Sequence, residues 1–193
     1  MTRIAAFSGV ILALLLLVPA PPALAVPPGG PSNYIVDNET VHAARTGDIE
    51  KLRIALMKGT TPNEAGRDRI PMLILAVGNG HLTVVELLLE KGADPNRRAP
   101  DGTTPLSMAA VVGRADIGEV LLRGGANPNL LGHNRDAPLL IATRARNAAF
   151  VEALVRHQAD LDETDVTGRT ALNLAEEGHY REIVSILRAA GAN

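Results

Sequence analysis

The chain has 193 residues, enough for one good-sized domain, with 46% hydrophobic residues, only 2% aromatic ones, no tryptophan and no cysteine. The missing cysteine excludes disulfides, thiolate metal sites and lipid attachment through cysteine. A formal charge of −2 excludes the strongly basic face that nucleic-acid binding needs. With so few rings, a core must be built from Leu, Val, Ile and Ala, which suits close-packed helices.

In chain order, the first predicted element is a leader. Residues 4–18 (IAAFSGVILALLLLV) carry no charge, Arg3 precedes them, and Pro19, Pro21 and Pro22 end the run before Ala23-Leu24-Ala25. A basic start, an apolar centre and a small-x-small site read as a secretory signal peptide (residues 1–25) cleaved between Ala25 and Val26. A membrane anchor is the rival, but this run falls short of the ~20 residues a spanning helix needs. Cleavage removes one charge, Arg3, leaving 18 Lys/Arg against 21 Asp/Glu, formally −3. Export without cysteine and an Ala/Pro/Leu/Arg-rich composition point to a periplasmic or secreted protein, free of the membrane after cleavage. Residues 26–37 open with VPPGGPSN and read as a Pro/Gly-rich linker.

From residue 38 onward the sequence repeats every 33 residues. Gly92-Ala93-Asp94-Pro95-Asn96 recurs as Gly125-Ala126-Asn127-Pro128-Asn129 and as Gln158-Ala159-Asp160-Leu161-Asp162, and Gly59 to Asn63 keep the same phase. Two apolar registers share that period: Leu73, Leu106, Leu139 and Leu172, and Ala43, Ala76, Ala109, Ala142 and Ala175. The units fall at about 38–63, 64–96, 97–129, 130–162 and 163–193. In the second, residues 72–78 are short, apolar and Ala-rich, as a helix packed between neighbours must be. Gly80-His81 breaks them. Residues 82–91 then place Val84, Val85, Leu88 and Leu89 on one helical face. Gly92 follows as the left-handed cap and Asp94-Pro95-Asn96 starts a projecting turn. One such unit cannot bury its apolar face, whereas stacked neighbours bury it between them. Glu50, Lys51 and Arg53 at one end, and Arg181, Glu182, Ser185 and Arg188 at the other, read as polar caps.

The period and the stretch Asp101-Gly102-Thr103-Thr104-Pro105-Leu106-Ser107-Met108-Ala109-Ala110 resemble the ankyrin-repeat family, over about residues 38–193. The resemblance implies an all-α solenoid of about five helix-turn-helix repeats. It also implies polar ties between units made by the Thr and His of a Thr-Pro-Leu-His stretch. Those residues are mostly replaced here: Pro71 and Ala137 stand for Thr, and Ile74, Ser107, Leu140 and Asn173 for His, so apolar packing is expected to substitute. The fourth unit departs furthest, with Arg146 and Gln158 where others have Gly. It is expected to be the least stable unit or the one shaped for a partner. In the last unit Gly178-His179 comes one residue early, which predicts a shifted turn.

Ankyrin proteins resemble a cupped hand, and the resemblance places the fingers at 64–70, 97–103, 130–136 and 163–169 with the first helices as palm. It thereby implies binding of one protein partner by a monomer through Arg67, Arg69, Arg97, Arg98, Asp101, Thr103, Leu130, Leu131, His133, Arg135, Asp136 and Arg169 at the tips. Met108, Val111, Arg144 and Arg146 would contribute from the palm. Recurring arginines suit bidentate contact with carboxylates, and Leu130-Leu131 would supply an apolar centre. Equally, the arginines can pair with Asp68, Asp101, Asp136 and Asp165, and the leucines can pack on adjacent turns. Small exported relatives are thought to serve as immunity or inhibitor proteins, or as accessories to oxidative-stress enzymes such as catalases. A structural scaffold of a cell-envelope complex is the alternative. No catalysis, metal or cofactor is expected. Among His42, His81, His133, His157 and His179 only His133 lies at a tip, and it lacks spaced co-ligands. Gly78-Asn79-Gly80 lacks the third glycine and preceding strand of a nucleotide loop, and Glu176-Glu177 are adjacent on a helix and do not face each other.

Overall fold

Residues 38–193 are described by a computed structural model; the leader with its Ala25/Val26 junction and the linker to residue 37 lie outside the described residues. Ten α-helices follow one another in pairs: α1 (Glu39–Thr46) and α2 (Ile49–Met57), α3 (Met72–Gly78) and α4 (Leu82–Glu90), α5 (Pro105–Val111) and α6 (Ala115–Arg123), α7 (Pro138–Arg144) and α8 (Ala148–Arg156), α9 (Ala171–Glu177) and α10 (Arg181–Ala189). Helix starts recur every 33 residues in both series. The first helices pack as one layer (α1 on α3, α3 on α5, α5 on α7, α7 on α9), and the second helices pack as another. Each helix pair therefore touches only its neighbours, as a solenoid requires.

The apolar registers become the core. Leu73, Leu106, Leu139 and Leu172 are buried, as are Ala43, Ala76, Ala109, Ala142 and Ala175. In α4 the buried residues are Val84, Val85, Leu87 and Leu88, with Leu89 only partly covered. The expected face thus widens toward Leu87, because a second helix is flanked by neighbours on both sides. Phe150, the largest fully buried side chain, fits where Gly118 leaves no side chain. A Cβ on Gly118 would lie 2.5 Å from Phe150 Cζ.

The polar ties between units are built from other residues than the missing Thr and His. Asn63 donates its side-chain amide to the Gly92 carbonyl and accepts from the Asp94 N–H. Asn96 does the same with Gly125 and Asn127, and Asn129 accepts from Asp160 N–H at 2.8 Å. A second series links the inter-helix turns. The His81 ring meets the Arg45 carbonyl at 3.1 Å, Arg114 donates to the Gly80 carbonyl, Asn147 donates to the Gly113 carbonyl, and Arg146 stacks 4.7 Å above the Tyr180 ring. Where Thr survives, at Thr104 and Thr170, it closes a capping box with Ser107 and Asn173. Where it is lost, α3 and α7 begin at Pro71 and Ala137 without a side-chain cap, and Ile74 and Leu140 are buried instead.

Left-handed residues mark every turn at the same period. The turn between paired helices uses Gly47, Gly80, Gly113, Arg146 and His179; the turn after each pair uses Gly59, Gly92, Gly125, Gln158 and Gly191. The last unit's turn therefore keeps its register. His179 adopts the positive φ (57°) while Gly178 ends α9 in ordinary helical geometry, so the expected one-residue shift does not occur. The fourth unit holds Asn134, Arg135, Arg146 and Gln158 at positive φ, more non-glycine left-handed residues than any other.

The two ends differ. The outer side of α10 is polar, as expected of a cap. At the other end Lys51 replaces the buried Val84, Ile117, Phe150 and Ile183 of its register and pairs with Asp48, but Ile54 and Met57 stay 49% and 78% exposed. Among the described residues no unit precedes Ile54 as the first unit precedes its counterpart Leu87.

Candidate functional site

Between each pair of units the chain projects a tight turn, closed by backbone bonds from Gly66 to Ile70, Ala99 to Thr103, Gly132 to Asp136 and Asp165 to Arg169. The turn tips and the first helices together line a cavity of about 330 Å³. Its floor is Met108 and Ile141, with Val111 at the edge, and its walls include Asp101, Thr103, His133, Asp136 and Arg144. A smaller cavity of about 120 Å³ continues it over α3, lined by Ile70, Ile74, Leu75 and Gly78 and sharing Asp101, Thr103 and Met108. The apolar floor is a register in itself: Leu75, Met108, Ile141 and Leu174 are 33 residues apart. Val111, at the end of α5, is 66% exposed beside it.

The polar wall is tightly organised. Asp101 accepts from the Thr103 N–H and hydroxyl, both at 2.9 Å, and these two bonds hold its carboxyl below the usual range. His133 bridges the second and third tips, its Nδ1 lying 3.1 Å from the Asp101 carbonyl and 3.8 Å from the carboxylate. Arg144 reaches Asp136 at 3.0 Å and Asp165 at 3.3 Å, so one guanidinium ties two tips. Asp165 occupies a buried register otherwise held by Gly66, Ala99 and Gly132. Its side chain is 2% exposed, and the Thr167 hydroxyl and N–H, the Arg169 N–H and the Arg169 guanidinium satisfy it. The Thr167 hydroxyl bond is the largest cause holding that carboxyl far below the usual range, against the opposing effect of burial. Arg169 also pairs with Glu177 at 3.1 Å.

Of the residues expected at a partner surface, the structure gathers Asp101, Thr103, Met108, His133, Asp136 and Arg144 around one cavity. Arg169 stands behind them, engaged by Asp165 and Glu177. Arg97 donates to the carbonyl of Asn63, the last residue of the first unit, and Arg98 bonds the Gly102 carbonyl at 3.4 Å within its own tip. Arg67, Arg69 and Arg135 are exposed at the tips, the last two in left-handed backbone, and do not line the cavity. Arg146 sits at the inter-helix turn against Tyr180 and lines a different depression with Arg181. Leu130 and Leu131 are half-buried, and Leu131 packs against the core, so the pair does not form an exposed apolar centre. Packing of Leu131 on the core uses part of that surface up, and the exposed apolar contact falls to Val111.

Sequence reasoning passed over Ile141, Ser107 and Asn134 as lining residues and Glu177 as a partner of Arg169. The register of Met108 already pointed to Ile141; a carboxylate in a glycine/alanine register likewise marked Asp165. The sites weighed for chemistry separate instead of converging: Glu176 pairs with Arg188 and Glu177 with Arg169. His157 pairs with Glu119, and His81 holds a turn. Among the described residues no cluster of His, Cys, Asp and Glu could hold a metal ion, and no helix is long and apolar enough to cross a membrane. The cavity thus offers apolar contact, fixed hydrogen-bonding groups and ionised carboxylates.

A family model described as ankyrin repeats (3 copies) matches residues 40–131 and, overlapping it, residues 119–193. No curated protein matches the chain.

Proposed function

Because the chain belongs to the ankyrin-repeat family, whose repeats generally act as protein–protein interaction modules without catalysis, we propose that it is an exported monomer that holds one protein partner in the cavity over α3, α5 and α7. One observation carries the reading: Val111, 66% exposed, beside the floor of Met108 and Ile141 inside a wall of fixed polar groups. An accessible apolar centre within a polar rim has the composition of an interface hot spot. A mobile wall would lose side-chain entropy on binding; this one is already immobilised by its internal bonds.

Export rests on the basic, apolar and small-x-small segments of residues 1–25. N-terminal sequencing of the protein recovered from a periplasmic fraction should start at Val26; an unprocessed cytoplasmic chain overturns export. The binding reading is tested by affinity capture from periplasmic extract with the wild-type chain and a Met108→Gln/Val111→Asn variant. Loss of a captured protein by a folded variant is expected, and equal capture by both overturns the site. The identity of that protein divides the roles: a secreted hydrolase fits an immunity or inhibitor function, and a catalase fits an accessory to oxidative-stress defence.

A further inference from the structure

We infer that the partner segment seated in this cavity is cationic, an aliphatic side chain flanked by Lys or Arg. This inference rests on the proposed binding role and concerns the chemistry of the partner. The arginines at the tips suggest the opposite, an acidic partner, but the side-chain geometry removes them from consideration one by one. Arg144 is held by Asp136 and Asp165, and Arg169 by Asp165 and Glu177. Arg97 and Arg98 keep their charge while donating to backbone carbonyls, but they stand with Arg67, Arg69 and Arg135 at tips outside the cavity lining.

The charged side chains that line the two cavities are the carboxylates Asp101 and Asp136 and the guanidinium Arg144, which is shared with Asp165, so the lining carries one net negative charge with histidine counted as neutral. Of the two, Asp101 is the carboxylate not engaged by an arginine among the described residues. Its carboxylate is 56% exposed, it is ionised because Thr103 donates to it twice, and among the described residues only a histidine, His133, forms an ion pair with it. A carboxylate fixed at the edge of an apolar floor, with outward lone pairs free, suits an ammonium or guanidinium one residue from an aliphatic anchor. A carboxylate brought to the same place meets like charge.

Two acetylated and amidated hexapeptides, Gly-Leu-Leu-Lys-Lys-Gly and Gly-Leu-Leu-Glu-Glu-Gly, test this against the 15N-labelled full chain by titration of its amide resonances. The lysine peptide should shift amides of residues 101–111 and 133–144 and bind about tenfold more tightly than the glutamate peptide at low salt. That gap should close near 1 M salt, where the screening length is about 3 Å. Asp101→Asn should weaken the lysine peptide about two- to fivefold, as loss of an exposed ion pair does, and leave the glutamate peptide no weaker. Equal or tighter binding of the glutamate peptide at the same amides overturns the cationic inference and leaves the groove reading standing. If neither peptide shifts these amides at millimolar concentration, or if Met108→Gln/Val111→Asn binds as wild type does, both are overturned.

Discussion

Replacing Gly118 by alanine probes the closest fit in the core. Gly118 lies within α6, where glycine costs about 1 kcal/mol relative to alanine, so helix propensity alone predicts stabilisation. The structure predicts the reverse. The added methyl would lie 2.5, 2.7 and 3.1 Å from Cζ, Cε2 and Cε1 of Phe150, against an optimum of about 3.5–4.0 Å between carbons. Phe150 is fully buried and has no room to withdraw, so the ring and its neighbours must shift. Overpacking of this kind costs about 1–3 kcal/mol, and at three close contacts the upper part of that range applies. Net of the propensity gain, Gly118→Ala should destabilise by ~1–2 kcal/mol, lowering Tm by roughly 2–8 °C for a chain of this length. In a Phe150→Ile background, matching Ile117 and Ile183 in the same register, the clash vanishes and the same substitution should stabilise by ~1 kcal/mol. Urea denaturation followed by far-UV circular dichroism measures all four corners of this cycle. A Gly118→Ala protein more stable than wild type in both backgrounds would refute the packing argument.

Gln158 carries a φ of 63° where other units have glycine, so Gln158→Gly should raise stability by ~1 kcal/mol in the same urea assay. Asn96→Ala removes the bonds to Gly125 and Asn127 and should cost about 1–2 kcal/mol, with hydrogen exchange accelerating first at the second and third units. Asp165 is depressed below its ordinary 3.8 by its hydrogen bonds. Its contribution to stability is therefore complete above the unfolded value and declines as pH falls below about 4 toward the folded one. Asp165→Asn should accordingly lower stability at pH 7 and flatten the fall in Tm between pH 4 and pH 2; an unchanged acid limb would contradict the assigned bonds.

Much of the fold was legible in the residues because each unit contacts only its neighbours, so packing repeats with the sequence. The apolar registers at Leu73 and Ala76 therefore gave helix pairs, core and period together. The Asn63, Asn96 and Asn129 ties were visible as a register, yet they looked like turn residues. Their bonds cross to the next unit, which spacing alone does not show. His179 shows the same boundary: a glycine beside it suggested a displaced turn, but the stack imposes the turn position and the histidine accepts a left-handed backbone.

The sequence by itself thus determined an all-α stack of 33-residue units and where its tips and first helices fall. Tertiary structure alone decided what the site presents. Arg144 and Arg169 are paired with Asp136, Asp165 and Glu177, and Leu131 packs against the core, while Val111 is left exposed. Apolar burial follows period and area, which a linear pattern encodes. Charge pairing depends on the reach and rotamer of long side chains meeting across units, and those geometries have no sequence period.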